Sequence, residues 1–319
     1  MTTDTAISRL LSRAIKGERR AASQLMSLAE NYPEARFRIL SALYWKSGNA
    51  HIIGITGPPG CGKSSLIAQL AKTYRAKGDS VGIVAVDPSS QITGGALLGD
   101  RIRMSELSSD PKVFIRSMAT RGYFGGVARA TEDVVRILDA LEMTHVIVET
   151  AGAGQSDVDI RNLADTIIVV TAPGLGDEIQ ALKAGIMEVG DIFVVNKADK
   201  ESTERAMKDI HSMIMMSDSS GWRPQVLKTN ALSGEGITPL VEAIRQHSEY
   251  LVRKTDEADD SDRMKREVIY AAKRYFEDIA LQKATSTRWF VGLLSQVKKH
   301  RLDPYEAARK LLRKSLTVA

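Results

Sequence analysis

The chain is 319 residues long, with 43% hydrophobic residues, 26% charged residues and a formal net charge of +5. This composition predicts a soluble globular protein, with one large domain and appendages. Its basic residues are interleaved with acidic ones and form no long block, which disfavours a nucleic-acid-binding protein.

Two further features of the sequence indicate the cellular compartment. No apolar stretch approaches about 18 residues and residues 1–18 are polar, so we expect neither a membrane span nor a signal peptide. The single cysteine, Cys61, excludes an internal disulfide. We therefore expect a reducing compartment, the cytoplasm.

Short helices are predicted before the first strand. Apolar residues recur at helical spacing between residues 7 and 45, with a break at Asn31–Pro33. We expect residues 1–48 to form an N-terminal helical segment.

From residue 51 to about 245, apolar runs alternate with amphipathic segments. The runs that we interpret as buried strands lie at 51–56, 81–86, 112–116, 145–150, 166–171, 191–196 and 225–229. This alternation predicts an α/β domain over residues 49–250, with a mainly parallel sheet and helices on both faces. Ligands of such sheets bind at the carboxyl ends of the strands.

A phosphate-binding loop follows the first predicted strand. Residues 57–64 read Gly-Pro-Pro-Gly-Cys-Gly-Lys-Ser, which matches G-x-x-x-x-G-K-[ST] between a strand and an amphipathic helix. In this pattern main-chain N–H groups surround the phosphates, the lysine reaches the β- and γ-phosphates and the hydroxyl can hold Mg²⁺. Cys61 occupies a variable position, where a space-filling role is favoured over a redox role. The predicted phosphate-binding residues are Pro58, Pro59, Gly60, Cys61, Gly62, Lys63, Ser64 and Ser65.

The base is predicted from a second pattern, N-K-x-D, at Asn196, Lys197 and Asp199. The Asp199 carboxylate can accept from guanine N1–H and N2–H₂, donors that adenine does not present together, so GTP and GDP are favoured over adenine nucleotides. Lys197 is expected along the base plane, and Asn196 is expected to tie this loop to the phosphate loop. The loop after the last strand, Asn230, Ala231 and Leu232, can offer N–H groups to guanine O6.

Two carboxylates complete a predicted hydrolytic site. Asp87 and Glu149 each end an apolar run, and carboxylate oxygens suit Mg²⁺, directly or through water. With Lys63 they form the predicted catalytic set, and with Ser64 the predicted metal ligands. Gly152 leaves its N–H free to approach the γ-phosphate. If either residue is considered alone, the alternative to a metal ligand is a solvent-exposed carboxylate at the end of a strand.

Three loops near this edge are expected to move. They span residues 93–104, 120–126 and 173–178. Candidates for neutralising the phosphate charge are Arg101, Arg103, Arg121 and Lys183. Each arginine taken singly is better explained as a surface charge. No residue is assigned to position water. Gln155 is a candidate by its chemistry only, so hydrolysis without a partner should be slow.

A C-terminal helical arm is predicted over residues 251–319, after a charged stretch at 253–263. Its expected helices are Met264–Leu281, Thr287–Lys298 and a last one with Asp303 as N-cap and Pro304 in the first turn. The apolar face of the second helix can cover the core or pair with a second copy of the chain. We favour pairing, because the core domain should already be closed.

These motifs resemble the MeaB/ArgK group of P-loop GTPases, chaperones of adenosylcobalamin-dependent acyl-CoA mutases such as methylmalonyl-CoA mutase. The resemblance covers nearly the whole chain and runs through Gly57–Ser64, Asp87-Pro-Ser-Ser, Thr93-Gly-Gly, Leu98-Gly-Asp-Arg, Arg121-Gly, Gly125-Gly-Val-Ala, Glu149-Thr-x-Gly-x-Gly-Gln-Ser, Pro173-Gly-x-Gly-Asp-Glu-Ile-Gln and Asn196-Lys-Ala-Asp.

The resemblance implies a GTPase that is weak alone, is stimulated by its mutase and gates both cobalamin delivery and removal of damaged cofactor. It also implies a homodimer through the arm, contact with the adenosyltransferase and a partner-sensing loop carrying Asp177, Glu178, Gln180 and Lys183.

The sequence departs from the family pattern at a few positions, and these departures leave open which acyl-CoA mutase is the partner. Ala151 and Ala153 stand where valines are common, Asp157 where glutamate is usual, and Tyr123-Phe124 where the segment is smaller. Mutases acting on methylmalonyl-CoA, isobutyryl-CoA, 2-hydroxyisobutyryl-CoA or ethylmalonyl-CoA all remain open as clients.

The sequence argues against two other classes of protein. A Ni²⁺- or Zn²⁺-delivery GTPase needs clustered soft ligands, whereas the five histidines are scattered. A kinase or transport ATPase is opposed by the guanine-selective pattern at 196–199.

Overall fold

Parallel strands form the centre of the molecule. The computed structural model describes residues 4–87, 104–119, 130–150, 160–174, 188–199, 202–215, 221–256 and 260–318. Within these ranges seven strands form one sheet in the order β3-β2-β4-β1-β5-β6-β7, and every neighbouring pair is parallel. The strands are β1 His51–Thr56, β2 Val81–Asp87, β3 Val113–Ala119, β4 His145–Glu149, β5 Thr166–Thr171, β6 Ile192–Val195 and β7 Gln225–Lys228. The predicted mainly parallel α/β sheet is confirmed.

Helices precede, separate and follow the strands. Within the described ranges, three helices lie before β1 and four follow α8 as a C-terminal arm. The described helices are α1 Asp4–Ile15, α2 Arg19–Asn31, α3 Pro33–Leu43, α4 Lys63–Ala76, α5 Ser105–Ser108, α6 Thr131–Ala140, α7 Thr203–Met215, α8 Ile237–Asp256, α9 Asp260–Tyr275, α10 Gln282–Thr285, α11 Arg288–Lys298 and α12 Pro304–Val318. A π-helical segment, Phe276–Leu281, joins α9 to α10.

The sheet buries one apolar cluster on each face, because successive strand residues point to opposite sides. Ile147 of β4 packs on the face covered by α4 and α8, with Leu70 and Ile244. Its neighbours Val146 and Val148 pack on the other face, which is covered by α1–α3, α6 and α7. Near-continuous apolar runs such as β5 are therefore buried on both sides, as the sequence predicts for a parallel sheet.

A buried group of charges joins the arm to the N-terminal helices and the core. The Arg274 guanidinium donates two 2.8 Å hydrogen bonds to the Asp133 carboxylate at the start of α6. Arg36 of α3 contacts Asp278 and lies 3.8 Å from the same Asp133 carboxylate, whose side chain is 1% exposed. Removing one member would leave a buried charge uncompensated, so this cluster ties the end of α9 to α3 and α6.

Two arm helices begin with side-chain caps, of which the sequence predicts the one at Asp303. The Thr287 hydroxyl accepts from the Phe290 N–H at the start of α11. Asp303 Oδ1 accepts from the N–H groups of Tyr305 and Glu306, both at 2.9 Å, at the start of α12. The last arm helix therefore begins where the sequence predicts. In contrast, α9 begins at Asp260 instead of the predicted Met264, and the end of that predicted helix, Phe276–Leu281, is π-helical.

The boundaries proposed for the three parts stay predictions. Helices α1–α3 end before β1, and α8 continues past residue 250 to Asp256. Of the helices within the described ranges, none combines the length and apolar character needed to cross a membrane.

Candidate nucleotide-binding site

The phosphate loop lies between β1 and α4 at the carboxyl edge of the sheet. Glycine is required at two of its positions. Gly57 has φ of +144°, and a Cβ there would lie 1.9 Å from the Val170 carbonyl oxygen. Gly62 caps α4 with φ of +97°, and a Cβ there would lie 2.3 Å from Asn196 Nδ2. Any side chain would therefore push the loop off β5 or off Asn196.

The Lys63 side chain turns back into the loop. Its ammonium donates to the Gly57 carbonyl at 2.7 Å and to the Pro58 carbonyl at 3.3 Å. The residue is 7% exposed. The loop thus holds a largely desolvated positive charge at the start of α4, where the helix dipole also favours an anion.

Cys61 is fully buried within the loop, and burial raises the pKa of its thiol. A thiol with a raised pKa is a poor nucleophile at neutral pH. The structure therefore agrees with the space-filling interpretation.

Hard oxygen donors meet beside the loop. The Ser64 hydroxyl donates to Glu149 Oε1 at 2.9 Å, and both residues are buried. Asp87 is the last residue of β2, the strand that pairs with β4, so its main chain reaches the same edge. A serine hydroxyl and a buried carboxylate are the kind of ligands that Mg²⁺ prefers, so the donor set fits this ion.

The Asn196 side chain connects three segments. Its Nδ2 donates to the Cys61 carbonyl at 2.9 Å, which is the link to the phosphate loop that the sequence predicts. Its Oδ1 accepts from Thr229 Oγ1 at 3.1 Å and from the Ala231 N–H at 3.0 Å. The residue follows β6 directly and is buried. One amide therefore sets the spacing between the phosphate loop and the loop after β7.

Lys197 and Asp199 lie at the outer rim of the site. Lys197 adopts a left-handed backbone conformation, with φ of +59°, and its ammonium donates to the Gly60 carbonyl at 2.7 Å. Asp199 Oδ1 accepts from Asn230 Nδ2 at 3.2 Å. The Asp199 side chain is exposed rather than buried, because it stands four positions beyond the end of β6.

The loop after β7 faces this rim. Ala231 is 5% exposed, whereas Leu232 is 86% exposed. The Leu232 N–H donates to Asn230 Oδ1 at 3.1 Å, and the Ala231 carbonyl accepts from Gln69 Nε2 at 3.1 Å. Gln69 and Thr229 were not among the predicted site residues, because neither belongs to a motif. Thr229 directly precedes Asn230 in the sequence, whereas only the folded chain brings Gln69 to this loop.

Comparison with known proteins identifies the family. Residues 22–287 match the family described as methylmalonyl Co-A mutase-associated GTPase MeaB. The chain belongs to this family. A Pyrococcus horikoshii protein named as a GTPase is 45% identical over 314 residues, 97% of this chain and 98% of that protein. The GTPase ArgK of Escherichia coli is 33% identical over 76% of each chain. The crystal structure of a LAO/AO transport system kinase shares 25% identity and a TM-score of 0.69 over 98% of both chains.

This MeaB-family protein is therefore a P-loop GTPase that binds GTP and GDP. Its phosphate loop, Asn196 and the Ser64–Glu149 pair lie along one edge of the sheet, at the ends of β1, β6 and β4. The individual roles assigned to these residues stay predictions.

Several predicted residues of the GTPase lie outside the described ranges. They are Gly152, the water-positioning candidate Gln155, the arginines Arg101, Arg103 and Arg121, and the partner-loop residues Asp177, Glu178, Gln180 and Lys183.

Proposed function

We propose that this GTPase gates adenosylcobalamin loading of a B12-dependent acyl-CoA mutase and protects or reactivates that enzyme. The observation that carries the proposal is the match over residues 22–287 to a family named for its association with methylmalonyl-CoA mutase. The triphosphate site supplies the means, since a bound γ-phosphate can hold loops that are released on hydrolysis.

The proposed reaction converts GTP and water to GDP and phosphate. Lys63 would exchange its carbonyl partners on Gly57 and Pro58 for oxygens of the β- and γ-phosphates. Its charge would then stabilise the γ-phosphoryl group as the bond to the leaving oxygen breaks. Because the loop is already shaped, little reorganisation accompanies this exchange.

Ser64, Asp87 and Glu149 would hold Mg²⁺, the two carboxylates directly or through water. When bound, Mg²⁺ neutralises charge on the β- and γ-phosphate oxygens. The Glu149 carboxylate accepts from the Ser64 hydroxyl, which holds these two oxygen donors next to each other. Gly152 is proposed to present its N–H to the γ-phosphate.

Hydrolysis is proposed to be slow in the isolated protein. The loop with Asp177, Glu178, Gln180 and Lys183 is the proposed contact to the mutase, and the adenosyltransferase is a second proposed partner. A cytoplasmic location is also proposed.

The test is GTP hydrolysis in the presence of purified mutases. We expect at least a tenfold rise in phosphate release with the correct client among the methylmalonyl-, isobutyryl-, 2-hydroxyisobutyryl- and ethylmalonyl-CoA mutases. Each mutase is first shown to be active with adenosylcobalamin, and Lys63→Ala protein serves as the background control. If none of the active mutases raises the rate, the chaperone proposal is wrong.

We also propose a homodimer formed through the C-terminal arm. The apolar face of α11 is divided: Leu293 packs inward at 5% exposure, while Trp289 and Leu294 remain 40% and 50% exposed. The inward half covers the chain itself, as the alternative interpretation requires. The outward half is available to a second copy.

Leu294→Asp is expected to convert the dimer to a monomer, because an unpaired carboxylate at an apolar interface carries a large desolvation cost. Light scattering coupled to size exclusion measures the mass. Gln296→Asp, an exposed position on the same helix, is the matched control and should leave the dimer intact. A monomeric unmodified protein would exclude the proposed pairing.

A further inference from the structure

A side chain of α4, the helix that follows the phosphate loop, forms a hydrogen bond with the peptide group between Ala231 and Leu232. The Ala231 carbonyl accepts a hydrogen bond from Gln69 Nε2 at 3.1 Å, and the Ala231 N–H donates one to Asn196 Oδ1 at 3.0 Å. Both main-chain polar groups of this buried residue are therefore anchored by side chains. Gln69 lies on α4, the helix that begins at Lys63.

A continuous chain of contacts runs from Gln69 to the carboxylate proposed to bind guanine. The Ala231 carbonyl and the Leu232 N–H belong to one planar peptide and point in opposite directions, so anchoring the first orients the second. The Leu232 N–H donates to Asn230 Oδ1 at 3.1 Å. The same Asn230 amide donates through Nδ2 to Asp199 Oδ1 at 3.2 Å.

The contact is separable from the packing of α4. The core-facing residues Leu66 and Leu70 are fully buried and pack in the cluster that contains Leu240 and Ile244 of α8. The Gln69 side chain is only partly buried. Apolar burial therefore holds α4 in place without Gln69, and the hydrogen bond from Gln69 orients the loop after β7.

We infer that Gln69 is a positioning residue for base recognition. By fixing the peptide between Ala231 and Leu232, it holds Asn230, and through Asn230 it aims the Asp199 carboxylate at the purine. The inference rests on the proposed role of Asp199. It adds a contribution to base selectivity from the helix that carries the phosphate site.

The experiment measures equilibrium affinities of GTP, ITP and ATP for the full chain by competition with a fluorescent guanine nucleotide. ITP lacks the 2-amino group of guanine, so the GTP/ITP ratio reports on the contact to the Asp199 carboxylate. Gln69→Leu removes the donor at nearly constant size. We expect GTP affinity to fall about tenfold and the GTP/ITP ratio to fall about threefold or more, because a buried carbonyl loses its partner and the chain to Asp199 loses its anchor.

The affinity for ATP should stay within twofold, since the phosphate loop is untouched. Gln246→Leu is the matched control: Gln246 is exposed on α8 and contacts Gln225 and Glu242, away from the nucleotide edge. It should change none of the three affinities. Gln69→Glu, which keeps the side-chain shape and replaces the donor with an acceptor, serves as a second variant should Gln69→Leu fold poorly. It should lower the GTP/ITP ratio at least as much.

Equal losses for GTP, ITP and ATP would assign Gln69 a purely structural role and overturn the inference, as would an unchanged GTP/ITP ratio. Asp199→Ala in the same assay separates the two levels of the argument. A lowered ratio in Asp199→Ala beside an unchanged ratio in Gln69→Leu rejects the role of Gln69 alone. An unchanged ratio in Asp199→Ala rejects the base assignment and the inference with it.

Discussion

Lys63→Ala is expected to abolish triphosphate binding. The Lys63 ammonium lies inside the phosphate loop, 2.7 Å from the Gly57 carbonyl and largely removed from solvent. A hydrogen bond to a charged group contributes about 1.5–3 kcal/mol, and the ammonium can contact more than one phosphate oxygen. We therefore expect GTP affinity to fall by a factor on the order of 100 or more, measured by titration calorimetry with a non-hydrolysable GTP analogue.

Lys72→Ala is the matched control for this variant. Lys72 lies on the same helix, and its ammonium is paired on the surface with Glu106 Oε2 at 2.6 Å. Exposed pairs of this kind contribute about 0–1 kcal/mol, so nucleotide affinity should be unchanged. GTP affinity within threefold of the unmodified protein in Lys63→Ala would refute the phosphate-site assignment.

Asp199→Ala is expected to abolish the preference for GTP over ATP. In the unmodified protein the carboxylate can accept two hydrogen bonds from guanine N1–H and N2–H₂, whereas adenine cannot satisfy it. We expect GTP affinity to fall roughly 100-fold and ATP affinity to change little, because a site that hydrogen-bonds its ligand discriminates by this order or more. Competition binding with the two nucleotides measures both values.

Asp199→Asn extends the test by exchanging an acceptor for a donor. The amide can donate to the 2-oxo group of xanthine, so XTP should gain affinity relative to GTP. Asp209→Ala, at an exposed position on α7, is the control and should leave the preference intact. Equal affinity of the unmodified protein for GTP and ATP would contradict the base assignment.

Local patterns determined the strands and the motif positions. The predicted runs at 51–56 and 166–171 coincide with β1 and β5. The last arm helix begins at Pro304 after the Asp303 cap, as predicted. These agreements follow from short-range causes: strand periodicity, a fixed φ at proline and a side chain that reaches the N–H groups of its own first turn.

Contacts between distant residues could not be predicted in the same way. Arg274 and Asp133 are 141 positions apart, and Gln69 and Ala231 are 162 apart. No sequence spacing predicts either pair, because the partners meet only after the helices have packed on the sheet. The division of the α11 face into inward Leu293 and outward Leu294 depends likewise on which neighbours cover that helix.

The sequence by itself determined that this protein is a parallel α/β nucleotide-binding protein with a phosphate loop and a guanine-selective pattern. Each of these features is encoded in residues that are neighbours along the chain, where periodicity and backbone geometry act directly. Tertiary structure alone decided that Asn196 Oδ1 also accepts from the Ala231 N–H in the loop after β7, and that Gln69 of α4 reaches the Ala231 carbonyl of the same loop. Hydrogen bonds reach only about 3 Å, so these partners meet only when the strands have paired, with β5 between β1 and β6 and with β7 beside β6.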